Sequence, residues 1–306
     1  MIYNMDKLYE AVAERGHVCV GLDTAVEYIP EKERPAPLGK AASPAGAVLA
    51  YNKALIDATI DVAACFKVQI AYYEEIGLAG LECYSQTLKY LRDRGALVIA
   101  DIKRGDIADT AMRYARAHFE GDFEADFVTL NPYLGMDTLE PWLEFADKKG
   151  KGAFVLMRTS NRGRYDFQML KDSSGRLIYN SIGDRLSEIA ASRTGKHGYG
   201  AFGIVVGADP QSEDGRREAA LIRSERSDLF FLIPGYGAQG GAAKDAALLL
   251  RDGNGGVVNA SRSILRAWQG TDGAAEADNG FAAEAARKAV INMRDDILGA
   301  VKANTV

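Results

Sequence analysis

Among the charged side chains of the stretch ADIKRGDIADTA are Asp101, Lys103 and Asp106, which follow directly where the apolar run from Ala96 to Ala100 reads as a buried strand reaching its end. In a strand, residues i and i+2 share a face, so Asp101 and Lys103 are expected on one side and Ile102 on the other. Asp106 follows the turn Arg104-Gly105 and directly precedes a helix expected over 107–119. The plain alternative is an exposed loop with an i, i+2 ion pair, in which Asp106 merely caps that helix. Two other strand ends weigh against it: Asp23 closes the run V-G-L-D, and Lys67 lies between Phe66 and Val68 inside an apolar run. A lysine there is costly unless paired, and carboxylates at neighbouring strand ends would pair it. An ammonium held among carboxylates in a concave site suits electrostatic and acid–base catalysis.

A second group of residues suits an anion. The segments PGYGAQGG (234–241) and NASRS (259–263) each follow an expected strand. Glycine-rich backbone lets N–H groups approach an anion, and an arginine such as Arg262 grips phosphate oxygens in bidentate fashion. Gly235, Gly237 and Gly240 also satisfy G-x-G-x-x-G, but the match to a dinucleotide site is poor. It follows the seventh strand instead of the first, and the next strand ends in Asn259-Ala260-Ser261, with no acidic residue to hold a ribose. A phosphomonoester fits the pair of segments better than a nicotinamide nucleotide or an unliganded turn.

The elements that must position these groups alternate along the chain. Short β-branched and apolar runs predict strands over 17–23, 65–69, 97–103, 127–131, 153–159, 202–208, 230–234 and 256–261. Between several of them, apolar residues at helical spacing predict helices over 47–62, 81–92, 108–119, 139–146 and 242–250. Eight strand–helix units with near-continuous apolar strands predict a closed (β/α)8 TIM barrel, formed as a single domain over 1–306. Two irregular stretches break the rhythm, a proline-rich one within about 24–46 and a Gly-, Arg- and Ser-containing one over 161–172. Both follow strands and are therefore expected on the barrel face where active sites lie. A terminal helix over 281–301 is expected to cover the first strands.

Bulk properties narrow the function classes. Net charge is −5, and the basic residues are spread instead of forming a block, which disfavours nucleic acid or an anionic membrane as partner. The start carries no charged-then-apolar leader, and no long apolar run follows, so a soluble, cytoplasmic protein is expected. Cys19, Cys65 and Cys83 show no C-x-x-C spacing and read as small buried hydrophobes. The three histidines lack i, i+4 spacing, so no histidine metal site is expected.

Taken together, FKVQIAYYE, DIKRGDI with Thr110, TLNPYLG, RTSN, PGYGAQGG and SRSI resemble, in that order and with matches spanning residues 19–264, orotidine 5′-monophosphate decarboxylase in its longer bacterial form. The resemblance implies that Lys67, Asp101, Lys103 and Asp106 form an alternating charge network at the reacting carbon. It implies further that Asp106, with Ile107 and Thr110, completes the active site of a second subunit, so that the enzyme is a homodimer. Asp23 and Lys67 would touch the ribose hydroxyls, Ser160 the pyrimidine edge and Asn131 its surroundings. Gln239 and Arg262, with Pro234 and Gly240 of the same segments, would hold the substrate and its 5′-phosphate. No cofactor or metal is implied: Lys103 would stabilise the carbanion left at C6 and then protonate it. One departure from the family pattern is Arg162, where a proline is expected after Ser160-Asn161.

Two rival readings remain in play. Sister enzymes of the same barrel superfamily, Mg²⁺-dependent sugar-phosphate decarboxylases and aldolases, share D-x-K-x-x-D but carry an acidic metal ligand where this chain has Lys67, and a cation there repels Mg²⁺. A non-catalytic phosphoribosyl sensor would need the phosphate segments but would leave Asp101, Lys103 and Asp106 without a task.

Overall fold

Each apolar run becomes a strand because parallel strands covered on both faces must bury every side chain. A computed structural model describes residues 2–35, 43–207, 213–237 and 243–304. Its strands are β1 (Val18–Gly21), β2 (Cys65–Gln69), β3 (Val98–Arg104), β4 (Phe127–Leu130), β5 (Gly152–Arg158), β6 (Phe202–Val206), β7 (Phe231–Pro234) and β8 (Gly256–Ala260). Each pairs in parallel with the next, and β8 returns to β1, which closes the barrel.

Alternation along the strands sorts the core into two shells. Val18, Val20, Phe66, Val68, Val98 and Ala100 face the surrounding helices. Cys19, Cys65, Ile99, Phe127, Phe154, Leu232 and Val257 fill the barrel interior. Continued two residues towards the strand ends, the interior register reaches Gly21, Lys67, Asp101, Thr129, Leu156 and Asn259, the ring on which the site is built. A helix not foreseen from the sequence, Asn4–Arg15, closes the opposite end by placing Met5 and Leu8 in the interior cluster. Its Met5, Leu8, Ala11 and Val12 carry the helical spacing that would have revealed it.

Three local differences from expectation have physical causes. The helix expected from residue 47 starts at Pro44, because the Ser43 hydroxyl accepts from the Gly46 N–H and proline suits the first helical turn. The irregular stretch after β1 therefore ends earlier, and its residues 36–42 lie outside the described residues; what precedes them contains two short turns, Val26–Tyr28 and Glu31–Glu33. Within 161–172, Arg164–Phe167 forms one helical turn. Helices Ile178–Ala191 and Glu213–Glu225, absent from the sequence reading, complete the units around β5 to β7. The terminal helix Asn279–Asn304 packs on helix Pro44–Thr59 and touches β1, as expected. No helix among the described residues is long and apolar enough to cross a membrane.

Candidate active site

Three adjacent strand ends deliver an alternating row of charges. Lys67 on β2 donates to Asp23 Oδ1 at 3.1 Å and to Asp101 Oδ2 at 2.9 Å, and Lys103 donates to Asp101 Oδ1 at 2.6 Å. The order Asp23, Lys67, Asp101, Lys103 thus crosses β1 to β3 with no net charge. Lys67 and Asp101 are buried. Burial opposes the charge on Lys67, but Asp101 and Asp23 outweigh it and hold the amine above its ordinary range. Burial likewise acts to raise Asp101, and Lys67 with Lys103 overcomes it, holding that carboxyl well below the usual carboxylate range. Both groups therefore stay ionised across neutral pH.

Asp101 is the hub. Oδ1 accepts from Lys103 and from the Thr129 hydroxyl, while Oδ2 accepts from Lys67 and from Gln69 Nε2 at 2.8 Å. Four donors on two oxygens satisfy a buried carboxylate and fix its plane.

Lys103 reaches Asp101 by a different route from the simple alternation expected. Its φ is +46°, in the left-handed region that non-glycine residues rarely occupy. The β3–β4 register also shifts there: Ala100 pairs with Val128, and Arg104 with Leu130. The bulge turns the Lys103 side chain back over the carboxylate and leaves it 47% exposed at the mouth of the barrel. Ala108, at +44°, marks a second left-handed position, so strained residues bracket Asp106.

Two contiguous cavities open over this row. One, of about 230 Å³, is walled by Lys67, Asp101, Lys103, Ser160, Leu156 and Leu232, among others, and suits a flat, largely apolar ring. The other, of about 330 Å³, is lined by Asp23, Tyr72, Tyr236, Ser261 and Arg262 and is strongly polar. Lys67, Asp101, Pro234 and Asn259 line both, so a ligand with a ring at one end and an anion at the other would cross above them. Lys67 Nζ fills the space between Asp23 and Asp101 in which a divalent cation would have to sit.

The site residues expected from the sequence divide accordingly. Asp23, Lys67, Asp101, Lys103, Ser160, Pro234 and Arg262 line the two cavities. Arg262 is exposed at the start of helix Arg262–Leu265 and makes no ion pair among the described residues. Asn131 does not join them: it is exposed, and its Oδ1 accepts from the Tyr133 N–H at 3.1 Å, because Pro132 starts a turn that needs a cap. Asp106, Ile107 and Thr110 follow β3, with Asp106 half-buried and Ile107 and Thr110 exposed, and line neither of these two cavities. Asp106 accepts from the Ile107 N–H at 2.8 Å and is not the helix cap, which is Ile107. Gln239 and Gly240 lie outside the described residues.

Sequence reasoning passed over Gln69, Thr129, Asn259 and Ser261. Ser261 donates to Asp23 Oδ2 at 2.9 Å and receives Asn259 Nδ2 at 3.4 Å. With the serine proton committed to Asp23, the amide of Asn259 must present Nδ2 to Ser261. Its buried Oδ1 is then an acceptor without a partner among the described residues, in the wall shared by both cavities. The signal that would have found these residues is the one that found Lys67, a polar side chain at an interior register position near the end of an apolar strand.

Comparison with known proteins gives the same direction. A family model described as orotidine 5′-phosphate decarboxylase / HUMPS family matches residues 16–277. Orotidine 5′-phosphate decarboxylase of Clostridium perfringens strain SM101 is 52% identical over 296 residues, 97% of this chain and 98% of that protein. Among solved structures, Leishmania donovani OMP decarboxylase aligns with a TM-score of 0.70 and 31% identity, covering 96% of this chain and 99% of that one. Leishmania donovani UMP synthase aligns with a TM-score of 0.72 and 32% identity over 96% of this chain, which spans 57% of that longer protein. The chain belongs to the orotidine 5′-phosphate decarboxylase / HUMPS family.

Proposed function

We propose that this chain decarboxylates orotidine 5′-monophosphate to uridine 5′-monophosphate, a step of pyrimidine biosynthesis, by fixed protein charge alone. The observation that carries the reading is the Lys103 amine, 2.6 Å from a fully satisfied Asp101, at the rim of a ring-sized cavity. Breaking the bond from C6 to the carboxyl carbon releases CO2 and leaves an electron pair on C6 that no neighbouring carbonyl is placed to absorb. The Lys103 ammonium stabilises that pair and transfers a proton to C6, and the neutral amine regains its proton from solvent. Asp101 aims the ammonium, and Lys67 holds Asp101 ionised.

The rest of the substrate follows the two cavities. The pyrimidine lies against Leu156, Val205 and Leu232 with Ser160 at its edge, the ribose crosses Asp23, Lys67 and Asn259, and the 5′-phosphate meets Arg262 with Gln239. Oδ1 of Asn259, which has no partner among the described residues, suits a ribose hydroxyl as donor. Phosphate binding remote from C6 contributes by closing the site and excluding water, so substrates lacking it lose turnover as well as affinity.

The unit of function is a homodimer in which Asp106, Ile107 and Thr110 face the partner's cavity. Support comes from Asp106, which has no ion pair among the described residues, and from exposed Ile107, Tyr133, Leu134, Tyr165 and Phe167 on neighbouring loops of the same barrel face. A cytoplasmic setting keeps the three free buried cysteines reduced.

The reading is tested by following the loss of orotidylate absorbance on adding purified protein with EDTA present. Rapid, chelator-insensitive conversion is expected. No conversion, or conversion only after Mg²⁺ is added, would favour the metal-dependent sister chemistry.

A further inference from the structure

Between the pairs Ala100–Val128 and Arg104–Leu130, three residues of β3, Asp101, Ile102 and Lys103, stand opposite the single residue Thr129 of β4. A bulge of this kind takes backbone groups out of the strand ladder and leaves them to find other partners. Here both go to one side chain: the Ile102 and Lys103 N–H groups donate to Thr129 Oγ1 at 3.0 and 2.9 Å. A threonine hydroxyl has two lone pairs and one proton. With both lone pairs taken, the proton is forced outward, and it meets Asp101 Oδ1 at 2.8 Å. That same oxygen receives the Lys103 amine at 2.6 Å.

We propose that Thr129 is the positioning residue of the reaction: its hydroxyl pins the left-handed backbone of Lys103 and the carboxylate of Asp101 to each other, and so sets where the Lys103 amine points. The inference rests on the decarboxylase reading above and adds a residue to it. Thr129 is buried in the wall of the ring-sized cavity, but its hydroxyl is committed to the Ile102 and Lys103 N–H groups and to Asp101, and its effect on the reaction passes through them. Valine at this position keeps the shape but frees two backbone N–H groups and removes one donor from Asp101. The bulge then has no anchor, and Lys103 is free to leave its rare conformation. Serine keeps all three hydrogen bonds and loses only a methyl group.

The test compares Thr129→Val and Thr129→Ser with the unmodified enzyme for orotidylate turnover and for inhibition by uridine 5′-monophosphate. Because a displacement near 1 Å in a reacting group costs about 10²-fold, kcat of Thr129→Val is expected to fall by about that factor. Binding of the product nucleotide should stay within about threefold, since the lost interaction is expressed in the transition state. Thr129→Ser should retain most of the turnover. A crystal structure of Thr129→Val should show residue 103 out of the left-handed region and its amine beyond hydrogen-bonding reach of Asp101 Oδ1; this readout needs no turnover. The inference is overturned if Thr129→Val keeps kcat within about threefold, if Thr129→Ser is as impaired as the valine variant, or if Lys103 stays in place in the valine structure. Failure of the underlying reading is separate: it would appear as an unmodified enzyme that does not turn over orotidylate at all.

Discussion

Lys103→Ala is expected to lose orotidylate turnover by at least about 100-fold while keeping its fold, because a single group acting by electrostatic stabilisation or proton transfer typically supplies about 10²- to 10⁴-fold. Lys103 is asked for both. The fold should survive, since Asp101 keeps Lys67, Gln69 and Thr129 as donors and is not left as an unpaired buried charge. Lys103 is itself about half exposed, so little packing is lost. Parallel measurements of kcat, thermal unfolding and uridine 5′-monophosphate binding check this. A variant that retained more than about a hundredth of the turnover would remove Lys103 from the chemistry. One that unfolded would make its role structural.

Mixing two inactive variants is expected to create activity. If Asp106 acts in the partner's site, Lys103→Ala and Asp106→Asn each inactivate both sites of their own homodimers. In a heterodimer, one site combines intact Lys103 from the Asp106→Asn chain with intact Asp106 from the Lys103→Ala chain, and the second site carries both defects. Random reassortment through a two-fold interface makes half of the dimers mixed, so about a quarter of unmodified activity should return. Denaturing and refolding the two variants together, then assaying against each refolded alone, provides the measurement. Activity of the mixture equal to the sum of its parents would place Asp106 in its own chain's site or outside the site altogether.

Much of the site was legible because a parallel barrel obeys strict alternation. Lys67 sits between Phe66 and Val68, and no outward-facing slot in a helix-covered strand accepts a charge, so it had to point inward with a carboxylate beside it. The same logic applied to Asp23 and Asp101. It placed Lys103 beside Asp101, as found, but did not give the route, a bulge and a positive φ that nothing about a lysine announces. Thr129 was hidden by its neighbours, because Phe-Val-Thr-Leu reads as plain core and threonine is an ordinary strand residue. Asn131 misled in the opposite sense: a polar residue just past a strand end suits a ligand contact and a turn cap equally, and the following Pro132 decided for the cap. Helix Asn4–Arg15 escaped notice although its spacing was present, because it precedes the first strand and belongs to no βα unit.

In the proposed reaction the Lys103 ammonium delivers a proton to a carbanion at C6. By microscopic reversibility, the same amine must remove that proton from the product. Uridine 5′-monophosphate incubated in D2O with the unmodified enzyme should therefore exchange its C6 hydrogen for deuterium, read by proton NMR, and Lys103→Ala should leave the C6 signal intact at saturating nucleotide. Exchange by Lys103→Ala at the unmodified rate would rule out this role of Lys103, since some other group would then be handling the C6 proton.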